Sequence, residues 1–272
     1  MVLEPVLSLQ TFRLKGTGSR PQAAGPVNRR PPPGFSFRPD GGMPPSMTRF
    51  VHAPPPPVLV PVEGSDALFP VRRVLCVGRN YAAHRREMGG DDRDPPFFFA
   101  KPSDAIVPPG GAVPFPSATA NLHHEIELVV ALKSGGADIP VDRALESVFG
   151  YAVGVDLTRR DLQALAKDKG QPWEAAKGFD ASGPVSAIRP WTGAPPQGAI
   201  RVSVNGEVRQ DAVVADMIWN VAEIISEASR LWALKAGDLI FTGTPEGVGP
   251  LQKGDRVEGE VEGVGVLAFR LD

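Results

Sequence analysis

The sequence contains one cysteine, Cys76, so no disulfide can close within the chain. Cys76 lies in the apolar run Val74-Leu75-Cys76-Val77, where a small buried thiol is the ordinary occupant. Long hydrophobic runs are missing too: no stretch approaches the roughly 20 apolar residues of a membrane-spanning helix. A charge excess is also lacking. The net charge is −2 and the pI is near 6.1, which offers no basic face to nucleic acid or to an anionic membrane. No internal repeat is present. These absences leave a near-neutral globular protein of a reducing, cytoplasmic compartment as the expectation. At 42% apolar content, 272 residues can bury a sizeable core.

Proline and glycine are plentiful, at 30 each, and the prolines are unevenly placed. Residues 1–46 carry Pro31-Pro32-Pro33 and Pro44-Pro45 among scattered Arg and Gly, with almost no apolar periodicity. Such a segment cannot offset its ordering entropy by burial. Its basic bias suits a transit peptide, but its proline density opposes the amphipathic helix such peptides form. The reading is a Pro/Arg-rich disordered extension over 1–46, with the natural start expected at Met47. An extended lead-in covers 47–68, and the folded body covers 69–272.

Within that body, Arg73 to Gly78 reads as a buried strand, and Asn80 as the N-cap of a short helix from Tyr81 to Met88. His84 and Glu87, three apart, share a face of that helix. Pro95 to Pro102 reads as an aromatic strand whose rings are mostly core. Gly150 to Asp156 reads as a buried strand ending in an acid. A helix from Thr158 to Lys169 follows, with Thr158 and Asp161 at capping-box spacing and Arg160 and Gln163 on one face. Ala175 to Asp180 reads as a loop. Asn205-Gly206 between apolar runs signals a hairpin. Asn220 and Glu223 cap a helix with an apolar stripe of Val221, Ile224, Ile225, Ala228, Leu231 and Trp232. Val257–Val261 and Val266–Leu271 form a closing hairpin. Many strands and few helices argue for an α+β, mainly β fold rather than a doubly wound sheet.

The stretch from His123 to Leu132 reads as one strand. The side-chain period of 2 aims Glu125 and Glu127 at the same face. Two like charges in one small volume call for a positive partner, and a hard divalent cation suits oxygen ligands. Two solvated glutamates on an edge strand are the competing reading. Asp156 adds a third carboxylate, or else caps the following helix. His84 with Glu87 has the make-up of a carboxylate-oriented general base, or of a surface pair. Lys177 before Gly178 could stabilise an oxyanion, or simply be solvated. The glycine-rich segment Thr242 to Gly249 lacks the Gly-Lys-Ser/Thr of a phosphate loop, so it suits a carboxylate pocket or a tight turn, not a nucleotide site.

Several motifs occur in order: Gly78-Arg79-Asn80-Tyr81-Ala82-Ala83-His84, Lys101-Pro102, His124-Glu125-Ile126-Glu127-Leu128, Gly150-Tyr151, Asp156-Leu157-Thr158-Arg159-Arg160-Asp161, Lys177-Gly178-Phe179-Asp180 and Thr242-Gly243-Thr244-Pro245. Together they resemble the fumarylacetoacetate hydrolase family over residues 69–272. The resemblance implies a rolled β-sandwich, a homodimer, and Mg²⁺ or Mn²⁺ held by Glu125, Glu127 and Asp156, with Ca²⁺ sharing the same oxygen preference. It implies that His84 and Glu87 on a lid-like helix activate water and that Lys177 is an electrostatic stabiliser. It also implies substrate contacts from Arg160, Gln163 and Thr244. A substrate with a second carboxylate needs a second cation, for which Arg160 and Arg79 are candidates. The implied activity is hydrolysis of a carbon–carbon bond in 2,4-diketo acids. Pro-Pro-Phe-Phe-Phe, Asp-Leu-Thr-Arg-Arg-Asp-Leu-Gln and Ala-Asp-Met-Ile-Trp look most similar to the members that split fumarylpyruvate in gentisate breakdown. Decarboxylation of oxaloacetate or isomerisation on the same fold is the alternative.

Overall fold

A computed structural model describes residues 50–81 and 94–272. The chain divides into Met1–Pro54 and Pro55–Asp272. Of the first unit only residues 50–54 are described, and all are exposed. The expected 1–46 extension and the His84/Glu87 helix lie outside the described residues.

The second unit is built on a six-stranded sheet. Its spatial order is Arg189–Pro190, Val148–Val155, Ile126–Leu132, Asp238–Phe241, Arg73–Val77 and Phe98–Lys101. All neighbours run antiparallel except Asp238–Phe241 against Arg73–Val77, which is parallel. Ile126–Leu132 is buried at every position, as its unbroken apolar run requires of a strand covered on both faces. Alternation then sorts its side chains between two cores. Ile126, Leu128, Val130 and Leu132 enter the larger core, and Val129 and Ala131 the smaller. Each fully buried Val, Leu or Ile among them contributes about 1.5–3 kcal/mol.

The larger core is closed by a four-stranded antiparallel sheet, ordered Glu207–Val213, Ala199–Val204, Arg256–Val261 and Gly265–Arg270. Ile200, Val202, Val204, Val257 and Leu267 point into this core. The helix Val221–Leu231 adds Val221, Ile224, Ile225 and Ala228. Its capping box between Asn220 and Glu223 is formed as expected, whereas Leu231 is 61% exposed and leaves the stripe. The smaller core is covered by the Leu59–Pro61/Leu68–Pro70 pair, through Val60 and Phe69. The Asn205-Gly206 turn has φ of 54° and 83°, the left-handed pair of a type I′ hairpin. The result is the expected mainly β, multi-sheet architecture.

Three local readings are corrected. His123 to Leu132 is not one strand: Leu122–His124 belongs to a separate three-stranded sheet with Gly249–Leu251 and Thr158–Arg159. The helix begins at Arg160, not Thr158, and has no side-chain cap. Thr158 donates to the carbonyl of Asp156, while the Asp161 carboxylate accepts from Thr119 and Ala120. The Thr158 hydroxyl is therefore taken by a carbonyl two residues before it, and the Asp161 carboxylate by a distant segment of the chain. Finally, Glu174–Lys177 is a short helix rather than a loop.

Candidate active site

Two strands leave the central sheet for the three-stranded one, and each crosses at an acid. Glu125 separates Leu122–His124 from Ile126–Leu132, and Asp156 follows Val148–Val155 just before Thr158–Arg159. The crossings are stitched together, with the Asp156 N–H donating to the Glu125 carbonyl at 2.8 Å. Glu127 pairs in register with Gly154, where a side chain would collide with Val129 and Phe241. One oxygen from each of Glu125, Glu127 and Asp156 lies within 4.8 Å of the others, and all three residues are buried. The edge-strand reading of two solvated glutamates fails on that burial. So does the capping role for Asp156, since the helix begins with Arg159 in the cap position.

Cations surround two of the three acids. Lys177, at the end of its short helix, places Nζ 2.6 Å from Glu125 Oε2 and 2.6 Å from Asp156 Oδ2. Arg160 donates to Glu125 Oε1 and to Gln163 Oε1, each at 2.5 Å. Lys101 lies 2.7 Å from Asp156 Oδ1. It also donates to the Lys177 carbonyl and to Ser182 Oγ. Burial alone would raise the Glu125 carboxyl, but Lys177 and Arg160 outweigh it and hold it below the usual range. Burial opposes the charge of Lys177, yet Asp156 and Glu125 raise its pKa.

Glu127 is different. Its Oε2 accepts the Gly243 N–H at 2.7 Å, but it has no ion pair among the described residues. Burial, then Asp156 and Glu125, push its carboxyl well above the ordinary value. A buried acid beside two carboxylates, lacking a cation of its own, is what a divalent ion would satisfy. The all-oxygen donor set suits a hard ion such as Mg²⁺, Mn²⁺ or Ca²⁺.

The Thr242 to Gly249 segment forms the adjoining wall. Gly243 and Gly247 have φ of +94° and +88°, so the tight-turn reading of this segment holds. Thr244 is buried, and its Oγ1 accepts from Gln210 Nε2 at 2.8 Å. Gln210 also donates to the Pro245 carbonyl and accepts at Oε1 from the Ile126 N–H and from His124 Nδ1. All four hydrogen-bonding positions of the amide are used, which fixes its orientation and ties this loop to the strand start beside Glu125. Asn80 bridges the Trp219 and Thr242 carbonyls with its amide and accepts from the Trp219 N–H; the helix it was expected to cap lies outside the described residues.

Of the residues expected at a site, the fold gathers Lys177, Arg160 and Gln163 with Glu125 and Asp156 through direct contacts, and brings an oxygen of Glu127 within 4.8 Å of those two acids. Thr244 joins them through Gln210, Ile126 and the loop. Arg79 stands over Phe97 at 5.7 Å. Phe97 is 39% exposed and so lies outside the core expected for it. His84 and Glu87 are not among the described residues. Lys101 and Gln210 were not singled out as site residues. Lys101 carried only a Lys-Pro motif, and Gln210 sits in a strand of exposed neighbours with no local signal. No helix among the described residues is long and apolar enough to cross a membrane.

The chain is similar to several known proteins. A solved fumarylpyruvate hydrolase from Pseudomonas aeruginosa, in complex with Mn²⁺ and pyruvate, is 51% identical. The match covers 82% of this chain and 99% of that one, with a TM-score of 0.79. A solved chain from Burkholderia cenocepacia is 56% identical over 83% of this chain and 95% of its own, with a TM-score of 0.77. Among curated relatives, the mouse mitochondrial oxaloacetate tautomerase FAHD1 is 44% identical over 202 residues, 74% of this chain and 91% of that protein. The family model described as fumarylacetoacetate (FAA) hydrolase C-terminal matches residues 73–272, and the chain belongs to that family.

Proposed function

We propose that this chain is a metal-dependent hydrolase that cleaves 2,4-diketo acids, with fumarylpyruvate split into fumarate and pyruvate as its reaction. The observation that supports this most is the buried Glu125/Glu127/Asp156 cluster, with Glu127 lacking a cation. The 51% identity to a fumarylpyruvate hydrolase seen with Mn²⁺ and pyruvate adds to it. The three acids would hold Mg²⁺ or Mn²⁺, which supplies Lewis acidity to the keto-acid oxygens of the substrate.

The chain's own residues divide the remaining work. His84, oriented by Glu87, takes a proton from water, and the resulting hydroxide adds to the 4-keto carbon. Two of the three Lys177 ammonium protons face Glu125 and Asp156, and the third stabilises the alkoxide formed at that carbon. The C3–C4 bond then breaks, C3 takes up a proton, and fumarate and pyruvate leave. Arg160, held by Gln163, and the Thr244 hydroxyl, held by Gln210, orient the substrate carboxylate. Within this reading the enzyme is a cytoplasmic homodimer.

A second reading, tautomerisation of oxaloacetate, is favoured by the 44% identity to the mouse tautomerase. It uses the same cluster but breaks no carbon–carbon bond. Product analysis with both substrates separates the two. Stoichiometric pyruvate and fumarate from fumarylpyruvate supports hydrolysis. Enol–keto interconversion of oxaloacetate without cleavage of fumarylpyruvate would replace the first reading with the second.

A further inference from the structure

The strand Val148–Val155 carries a register break. Ala131 pairs with Gly150, but its neighbour Leu132 pairs with Val148, so Phe149 is extra on its side. Such a bulge bends a strand and re-aims its side chains. A cavity of about 200 Å³ opens there, at the end of the strand away from Asp156. Leu145 and Val148 give it an apolar lining and Trp191 an aromatic one. The Trp191 ring is fixed on two sides: its Nε1 donates to the Ala194 carbonyl at 2.7 Å, and it meets Tyr151 edge-on at 5.7 Å.

Two donors of the same lining lack a partner. Tyr151 is 1% exposed, yet its hydroxyl makes no hydrogen bond among the described residues. Burial pushes its phenol above the ordinary range with no help from a neighbouring charge. Lys133 is exposed at the rim, and its ammonium has neither a hydrogen bond nor an ion pair among the described residues.

We propose that this cavity is a second binding site, which takes a small aromatic carboxylate, its ring against Trp191 and its carboxylate between the Tyr151 hydroxyl and the Lys133 ammonium. A buried hydroxyl without an acceptor favours a ligand oxygen, and an unpaired ammonium favours a negative one. Water satisfies the donors but gains nothing from the apolar lining, whereas a flat ring packs on an indole by its edge or face. The volume lies below the roughly 300–1,000 Å³ of pockets for drug-sized ligands, which limits the occupant to a single ring. Tyr151 stands five residues before Asp156, about 17 Å along an extended strand. The ligand therefore does not touch the acid cluster, and the site is independent of the reaction carried out there.

Benzoate is the probe, beside benzamide and cyclohexanecarboxylate, in calorimetric titrations of the full chain loaded with Mn²⁺. Wild type binds one benzoate per chain, more tightly than either comparison compound. Tyr151→Phe removes only the unpartnered hydroxyl and weakens benzoate about tenfold. Lys133→Met weakens it about threefold. Neither variant removes an interaction that holds the fold, and unchanged thermal unfolding checks this. Stripping the metal with a chelator leaves benzoate affinity as it was. Failure of wild type to bind benzoate overturns the site, as does benzoate affinity unchanged in both variants. Equal affinity for benzamide overturns the carboxylate class, and equal affinity for cyclohexanecarboxylate the aromatic one. Loss of binding along with the metal places benzoate on the acid cluster and overturns the proposal as a whole.

Discussion

Lys101 Nζ lies 2.7 Å from Oδ1 of Asp156, and both side chains are sealed from solvent. Removing one partner of an isolated buried pair costs about 3–5 kcal/mol, but Asp156 keeps Lys177 as a second partner at 2.6 Å. Lys101→Met is therefore expected to lose less than that, about 1–3 kcal/mol, in a urea titration. Saturating Mn²⁺ should recover part of the loss, because a cation at Asp156 replaces the missing ammonium. An equal loss with and without Mn²⁺ would separate Lys101 from the metal site.

The raised carboxyl of Glu127 predicts proton release. Its pKa lies well above that of an ordinary glutamate, so without metal it keeps its proton at pH values where glutamate is normally ionised. A cation requires the ionised form. Mn²⁺ titrations in two buffers of different ionisation enthalpy should report net proton release on binding. Glu127→Gln should release none and bind Mn²⁺ much more weakly.

Gly243 predicts a strained substitution. At φ +94°, an added Cβ would sit 2.7 Å from the Asn80 Cβ. Gly243→Ala is expected to cost about 1–3 kcal/mol and to weaken Mn²⁺ binding, since the Gly243 N–H holds Glu127. Chemical denaturation and metal calorimetry on the same preparation check both effects.

Much of the acid cluster was legible because strand alternation aims Glu125 and Glu127 the same way, and because an acid closing a buried strand is unusual. The sheet switch at Glu125 was not legible. His123 to Leu132 has a single apolar character, and only pairing with Gly249–Leu251 and Thr158–Arg159 divides it. Thr158 and Asp161 had capping spacing, but partners 2 and 42 residues away in sequence took both side chains. Lys101 and Gln210 act over separations of 34 to 86 residues, which no local pattern encodes. The capped helix Val221–Leu231 and the Asn205-Gly206 hairpin were legible because their signals are wholly local.

The central claim is that Glu125, Glu127 and Asp156 hold a divalent cation on which cleavage of a 2,4-diketo acid depends. It is tested most directly by following pyruvate release from fumarylpyruvate with chelator-stripped protein, before and after addition of Mn²⁺, beside Asp156→Asn. The account predicts no release from the stripped protein, full release once Mn²⁺ is added, and none from the variant under either condition. Equal rates from stripped and loaded protein, or normal turnover by Asp156→Asn, would contradict it.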